Sequence, residues 1–415
     1  MNLMKKLKVA LIGYGNRGCI YGSFILSKKE QFEVVAVVEF LKEKRKKAQK
    51  DFSLTDNQVF ENADDFFNAK LKVDLLIIAS MDQYHYKQAM QALHLDMHIL
   101  LEKPIALTLQ ECEDIEALAS KKNKAVVICH VLRYSSFYVT IKNAIENKEI
   151  GEVVHIAQTE NVGYWHQAHS YIRGNWRNKD ITGPMILAKC SHDLDILYWL
   201  INQPCINVSS YGSLKHFNHE NQPREAANRC FECALKESCP FNCFKFYLGF
   251  GREWARQLVG DDLSDENINN YLKVSPYGRC VYSCDNNVVD HQVVNMLFQN
   301  QVTASLTMNA FSRYCDRTIH IYGTQGEIIG DFENRLITIQ PFLKEKKVID
   351  LNQISDDFSG HGGGDRLMFF EFVDYLLTQK WTKGLSFIQD SIMSHKMAFA
   401  AEESRLQNGK SIKMK

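Results

Sequence analysis

The first 130 residues alternate short apolar runs with amphipathic stretches, and that alternation limits the fold more than any other feature. Val9–Ile12, Val34–Val38, Val73–Ala79, His98–Leu101 and Ala125–Cys129 read as strands buried on both faces. Between them, Asn16–Ser27, Leu41–Lys50, Gln83–Leu93 and Leu109–Ser120 read as helices. The expected class is α/β, with a doubly wound parallel sheet and right-handed crossovers.

After a helix around Phe137–Asn147 the pattern changes. Val153–Ala157 reads as a strand and Pro184–Leu200 as one long apolar-striped helix. Val288–Phe298, Val302–Phe311, Thr318–Tyr322 and Leu336–Gln340 follow with short turns, which suits an antiparallel meander. Two helices, Asp365–Leu377 and Ser386–Gln407, come last. We expect two domains, residues 1–130 and 131–415, with a cysteine-rich insertion at about 215–284 in the second.

Forty-nine basic residues balance 49 acidic ones, which argues against nucleic acid or an anionic membrane as the main partner. No segment supplies the ~18 apolar residues of a membrane helix. The lysine-bearing N-terminus reads as a strand rather than a secretory signal, so the expected location is cytoplasmic and the cysteines reduced or metal-bound.

Gly13-Tyr14-Gly15-Asn16-Arg17-Gly18 follows the first strand and opens the first helix. The first glycine permits the tight turn, the second admits a pyrophosphate against the backbone, and the third lets helix and strand pack closely. Glu39 lies 21 residues after Gly18, where a carboxylate accepts both ribose hydroxyls and repels a 2′-phosphate. These residues point to a dinucleotide, NAD in preference to NADP. Glu102-Lys103-Pro104 follows the fourth strand, at the end of the sheet where ligands bind. An ammonium there can polarise a hydroxyl or carbonyl oxygen. Ser191-His192-Asp193-Leu194-Asp195 carries a histidine able to take a hydroxyl proton near neutral pH.

In that order, with Gly323-x-x-Gly326 in the late sheet, these motifs resemble the glucose–fructose oxidoreductase/inositol dehydrogenase (Gfo/Idh/MocA) family over nearly the whole chain except the insertion. The resemblance implies an N-terminal Rossmann domain, a C-terminal α/β domain with a large open sheet used in oligomers, and an active site between the domains. By the same resemblance, Lys103 is the substrate-orienting lysine and His192 the acid/base. Glu102 lies near the cofactor, and Ser80 and His85 line the nicotinamide ribose. His130, Arg133, Trp176, Lys189 and His361 are candidate substrate contacts, with His291 ranked lower. One departure stands out: the Asp that many sugar dehydrogenases of the family carry four residues before the histidine is Ala188, with Lys189 beside it. The activity implied is NAD-dependent hydride transfer to or from a secondary hydroxyl of a sugar, glycoside or cyclic polyol, by a homodimer or homotetramer. Internal redox with recycled NAD and a non-catalytic NAD-binding regulator are the alternatives.

Cys230-x2-Cys233-x5-Cys239-x3-Cys243 and Cys280-x3-Cys284 concentrate six of the 12 cysteines. Close thiol pairs suit a structural Zn²⁺ held by Cys230, Cys233 and Cys239 with Cys243 or Cys280. An iron–sulfur cluster ranks second because the spacing matches no common ferredoxin run, and a loop of unligated thiols is the alternative to both.

Overall fold

The computed structural model describes residues 6–353, 359–380 and 384–414. It forms two compact units, residues 1–140 with 354–396 and residues 141–353 with 397–415. Among the described residues no helix is long and apolar enough to cross a membrane.

In the first unit, β1 (Leu7–Ile12), β2 (Phe32–Val38), β3 (Val59–Phe60), β4 (Leu75–Ile78), β5 (His98–Leu101) and β6 (Val126–Ile128) form one parallel sheet in the order β3-β2-β1-β4-β5-β6. Leu75–Ile78 is fully buried, as expected for a central strand with helices on both faces. The strand order reverses between β1 and β4, which places a ligand crevice beyond their carboxyl ends. Helix Gly364–Thr378 belongs to this unit as well. Its Phe369 packs against Tyr21, Phe24 and Phe32, with ring centroids 5.7–6.1 Å apart.

In the second unit, β7 (Val153–Asn161), β8 (Cys205–Ser213), β9 (His291–Phe298), β10 (Thr303–Asn309), β11 (Asp316–Gly323), β12 (Gly326–Asp331), β13 (Leu336–Pro341), β14 (Lys347–Asp350) and β15 (Ile412–Lys413) make a second sheet. Its order is β14-β13-β12-β11-β7-β10-β9-β8-β15. Every pair is antiparallel except β7–β10, so the expected meander is interrupted by one parallel neighbour. Alternating residues bury one face, whereas Tyr211, Val293, Tyr322, Ile329 and Val348 are exposed and share the other face by register.

Two local expectations are corrected. The stretch Pro184–Leu200 is two helices, Met185–Ala188 and Ser191–Ile201, because Cys190 leaves helical geometry (φ −90°, ψ 4°) and caps the second. That restart sets Asp193 in a first turn, where the helix dipole favours a carboxylate. The helix expected at Asp365–Leu377 runs Gly364–Thr378 with Gly363 as its N-cap, so Asp365 lies inside it, and a short helix, Ser359–Gly362, precedes it. The insertion also has more core than its polar composition suggests. Helices Cys243–Tyr247, Arg252–Val259 and Asp265–Val274 enclose Phe246, Tyr247, Ala255, Ile268 and Leu272.

The turn after β1 explains its glycines. Gly13 has φ +90°, and a Cβ there would stand 2.5 Å from the Ala79 carbonyl oxygen. A Cβ at Gly18 would lie 2.0 Å from the Gly13 oxygen, whereas one at Gly15 meets nothing within 4 Å. Gly13→Ala should therefore lower stability by about 2 kcal/mol or more, while Gly15→Ala should stay near wild type. Thermal unfolding of both variants checks this; equal melting temperatures would contradict it.

Candidate active site

The glycine turn and the end of β2 are joined by one carboxylate. Glu39 is buried; its Oε2 accepts the Tyr14 N–H at 2.7 Å and its Oε1 the Leu41 N–H at 2.8 Å. Each oxygen keeps a further lone pair for a ribose hydroxyl. Arg45, the nearest candidate for a 2′-phosphate, instead donates to the Glu39 and Phe40 carbonyls and pairs with Glu61 at 3.0 Å. Open space at Gly15, the N-terminus of helix Asn16–Ser27 and the Glu39 carboxylate together fit an NAD pyrophosphate and ribose. The exposed Asn16 stands at the first position of that helix.

Arg17, in the first turn of that helix, is held by three side chains. Its Nε donates to Glu102 Oε1 at 2.5 Å, and its Nη2 donates to Asp365 Oδ1 and to the Tyr21 hydroxyl, both at 2.6 Å. Tyr21 donates in turn to Glu102 at 2.7 Å. Burial pushes the Glu102 carboxyl up, but Arg17, Tyr21 and Lys103 together hold it below the usual range. Asp365 is likewise held low: burial opposes ionisation, and His361 and Arg17 outweigh it. Arg17 and Glu102, expected beside the cofactor, thus form a clamp that secures the Lys103-Pro104 turn, whose peptide bond is cis.

More buried groups brace the same turn. His85 is fully buried, with Nδ1 2.7 Å from the Pro104 carbonyl and Nε2 3.2 Å from the Ser80 carbonyl. The Ser80 hydroxyl donates to Gln88 at 2.7 Å. His395, unmarked in the sequence analysis, accepts the Ile105 N–H through Nε2 at 2.9 Å, which leaves its proton on Nδ1, 3.3 Å from the Ser391 carbonyl. His130 stands 5.8 Å from it, ring to ring. Burial, then the charges of Arg133 and Lys103, hold the His130 imidazole well below its ordinary pKa, so it stays neutral at physiological pH. His361, 36% exposed at its side chain, sits 3.2 Å from Asp365.

In the second unit, His192 opens helix Ser191–Ile201 and is 6% exposed. Its neighbour Asp193 accepts from Gln158 at 2.7 Å and from Arg317 Nε at 2.9 Å. Arg317 also pairs with Glu160 at 2.7 Å, and Glu160 pairs with Lys189 at 3.1 Å. Two acids and two bases are therefore linked in one chain of pairs, and Lys189, a candidate substrate contact, is paired with Glu160. Sequence inspection missed Glu160 and Arg317, which lie 29 and 128 residues from Lys189 and meet it only through the pairing of β7 with β11. Trp176 is half-buried and tilts against Tyr171 at 6.4 Å. His291 pairs with the buried Asp290 at 2.8 Å.

The mononuclear zinc site expected from Cys230, Cys233 and Cys239 with Cys243 or Cys280 is not formed. Among the described residues no three His, Cys, Asp or Glu side chains are grouped to hold a metal ion. Cys230 and Cys243 belong to the core of the insertion helices, whereas Cys280 packs with Ala168, Ile172 and Phe217.

The Arg17 clamp gives a signed pH prediction. Its two carboxylates are depressed, so their contribution is present above their unfolded pKa values and lost as pH falls through the folded ones. Arg17→Gln removes the cation the two share, leaving Glu102 with Lys103 and Asp365 with His361, at a cost of about 3 kcal/mol near neutrality. In that variant, folding should raise both pKa values, so the deficit should shrink as pH falls from about 7 towards about 5. Urea unfolding of both proteins across that range measures it; a constant or growing deficit would contradict the clamp.

Comparison with known proteins agrees with this geometry. The model of an oxidoreductase family's NAD-binding Rossmann fold matches residues 7–130, and that of the family's C-terminal alpha/beta domain matches residues 142–414. The chain is 24% identical over 328 residues to the oxidoreductase YteT of Bacillus subtilis, covering 74% of each. It is 26% identical over 206 residues to inositol 2-dehydrogenase of Salmonella typhimurium, 49% of this chain and 57% of that one. An inositol dehydrogenase homologue from Azotobacter vinelandii, solved with NAD+, shares the fold with a TM-score of 0.71 at 12% identity, covering 99% of this chain and 98% of the other. An oxidoreductase from Agrobacterium radiobacter, solved with NAD+, L-tartaric acid and magnesium, does so with a TM-score of 0.70 at 14% identity and the same coverage. The chain belongs to the Gfo/Idh/MocA oxidoreductase family, with its NAD-binding Rossmann domain followed by its C-terminal α/β domain.

Proposed function

We propose that this protein is an NAD-dependent dehydrogenase acting on a secondary hydroxyl of a sugar, glycoside or cyclic polyol. The observation that carries the cofactor part is the buried Glu39 carboxylate, hydrogen-bonded to the Tyr14 N–H beside the open space at Gly15. The likeness to inositol 2-dehydrogenase supports the substrate class. The bound nicotinamide would accept or supply the hydride.

In this reading each protein group has one task. Gly13 to Gly18 hold the pyrophosphate against backbone N–H groups, and Glu39 accepts the ribose hydroxyls. Lys103, at the carboxyl end of β5, stabilises the alkoxide that develops on the substrate oxygen. His192 is the acid/base group for the hydroxyl proton, as the family resemblance implies. Asp193, fixed by Gln158 and Arg317, keeps the first turn of the His192 helix in place. The Arg17 clamp supports the Lys103 turn through Glu102. We assign the exposed face bearing Tyr211, Val293, Tyr322, Ile329 and Val348 to contact with a second copy of the chain.

A screen of sugars, glycosides and inositols with NAD, following NADH and product together, tests the reading. NADH should accumulate with substrate alone; product without NADH would mean internal redox instead. With a substrate in hand, Lys103→Met should lower kcat on the order of 10²–10³-fold while NAD affinity stays near wild type. A variant turning over at the wild-type rate would contradict the role given to Lys103.

A further inference from the structure

Four of the insertion's thiols surround a space instead of meeting at a point. Cys230, Cys233, Cys239 and Cys280 line one cavity of about 210 Å³ together with Arg173 and Phe241. A single tetrahedral ion with Zn–S bonds near 2.3 Å would draw its four sulfurs to within about 4 Å of one another. The described residues contain no such convergence, and one ion does not fill a cavity several times the ~30 Å³ of a water molecule. A cuboidal iron–sulfur cluster does the reverse: it occupies a volume and takes one thiolate at each corner.

The charge on the cavity wall agrees. Arg173 is only 3% exposed, and its Nη2 lies 3.6 Å from the Cys230 sulfur. Its other hydrogen bonds go to the carbonyls of Arg279, at 2.7 Å, and Phe241, at 2.8 Å. Among the described residues no carboxylate pairs with it within 4 Å. A buried guanidinium without a carboxylate needs negative charge from another source, and a cluster held by four thiolates is anionic. Cys239 is followed by Pro240, the Cys-Pro step seen in bacterial ferredoxin runs, and Cys230-x2-Cys233 provides the close pair.

We propose that Cys230, Cys233, Cys239 and Cys280 bind a four-iron, four-sulfide cluster. This reverses the preference for zinc and selects Cys280 over Cys243, because Cys243 is fully buried among the insertion helices and does not line the cavity. Cys284 does not line the cavity either; its thiol donates to the Cys280 carbonyl at 3.2 Å. The cluster ties the loop after Arg229 to the segment at Cys280, two stretches whose backbones meet at the Arg229–Arg279 bridge. Each thiol gives up its proton on ligation.

The test is iron and acid-labile sulfide analysis of the full chain, purified anaerobically and then reconstituted with ferric iron, sulfide and excess dithiothreitol, which supplies the two electrons that bring four ferric ions to the resting cluster. About four of each per chain are expected, with broad visible absorption that dithionite bleaches. Cys233→Ser and Cys280→Ser should lose that absorption, while Cys284→Ser should keep it. Wild-type protein without iron after reconstitution, or with one zinc per chain as purified, would overturn the proposal. So would loss of the chromophore in Cys284→Ser with retention in Cys280→Ser. The wild-type stoichiometry decides the matter even where a serine variant fails to fold.

Discussion

A guanidinium held between two carboxylates organises the nucleotide-binding unit. Arg17 leaves the glycine turn, meets Glu102 at the end of β5 and reaches Asp365 in helix Gly364–Thr378. Three distant segments are thereby fixed around one charge, and the two acids are balanced by Arg17 and the adjacent Lys103. Taking these groups out of water is costly, and only their mutual pairing offsets it. The consequence for function is geometric. The clamp fixes Glu102, and with it the backbone that carries Lys103.

The second unit uses the same device around Asp193. Glu160 and Asp193 face Lys189 and Arg317, so a stretch with two buried acids remains neutral. Ala188 in place of an acid fits this arrangement. An additional carboxylate would upset a balanced set, whereas Lys189 already has Glu160 as its partner. Asp193, held by Gln158 and Arg317, fixes the first turn of the helix that carries His192.

What could be read from the sequence follows how local each cause is. The parallel sheet and the glycine turn were legible because alternating apolar runs and a Gly-x-Gly-x-x-Gly are defined within a few residues. Glu39 was legible because its role depends on one fixed spacing. Asp365 reads in the sequence only as the start of a helix; its partner, Arg17, lies 348 residues away, and no local pattern announces that. The break at Cys190 escaped notice because Pro184–Leu200 is apolar throughout, and periodicity cannot register a short interruption. The cysteine spacing suggested an ion, whereas the cavity wall, assembled from segments up to 107 residues apart in Arg173 and Cys280, suggests a larger guest.

The account turns on Glu39 as the group that reads the dinucleotide. The direct measurement is the affinity of the purified protein for NAD and for NADP, by calorimetric titration under the same conditions. Glu39, anchored by two backbone N–H groups and with Arg45 engaged elsewhere, should favour NAD by about tenfold or more, or at least about 1.4 kcal/mol. Equal affinities, or tighter binding of NADP, would contradict it.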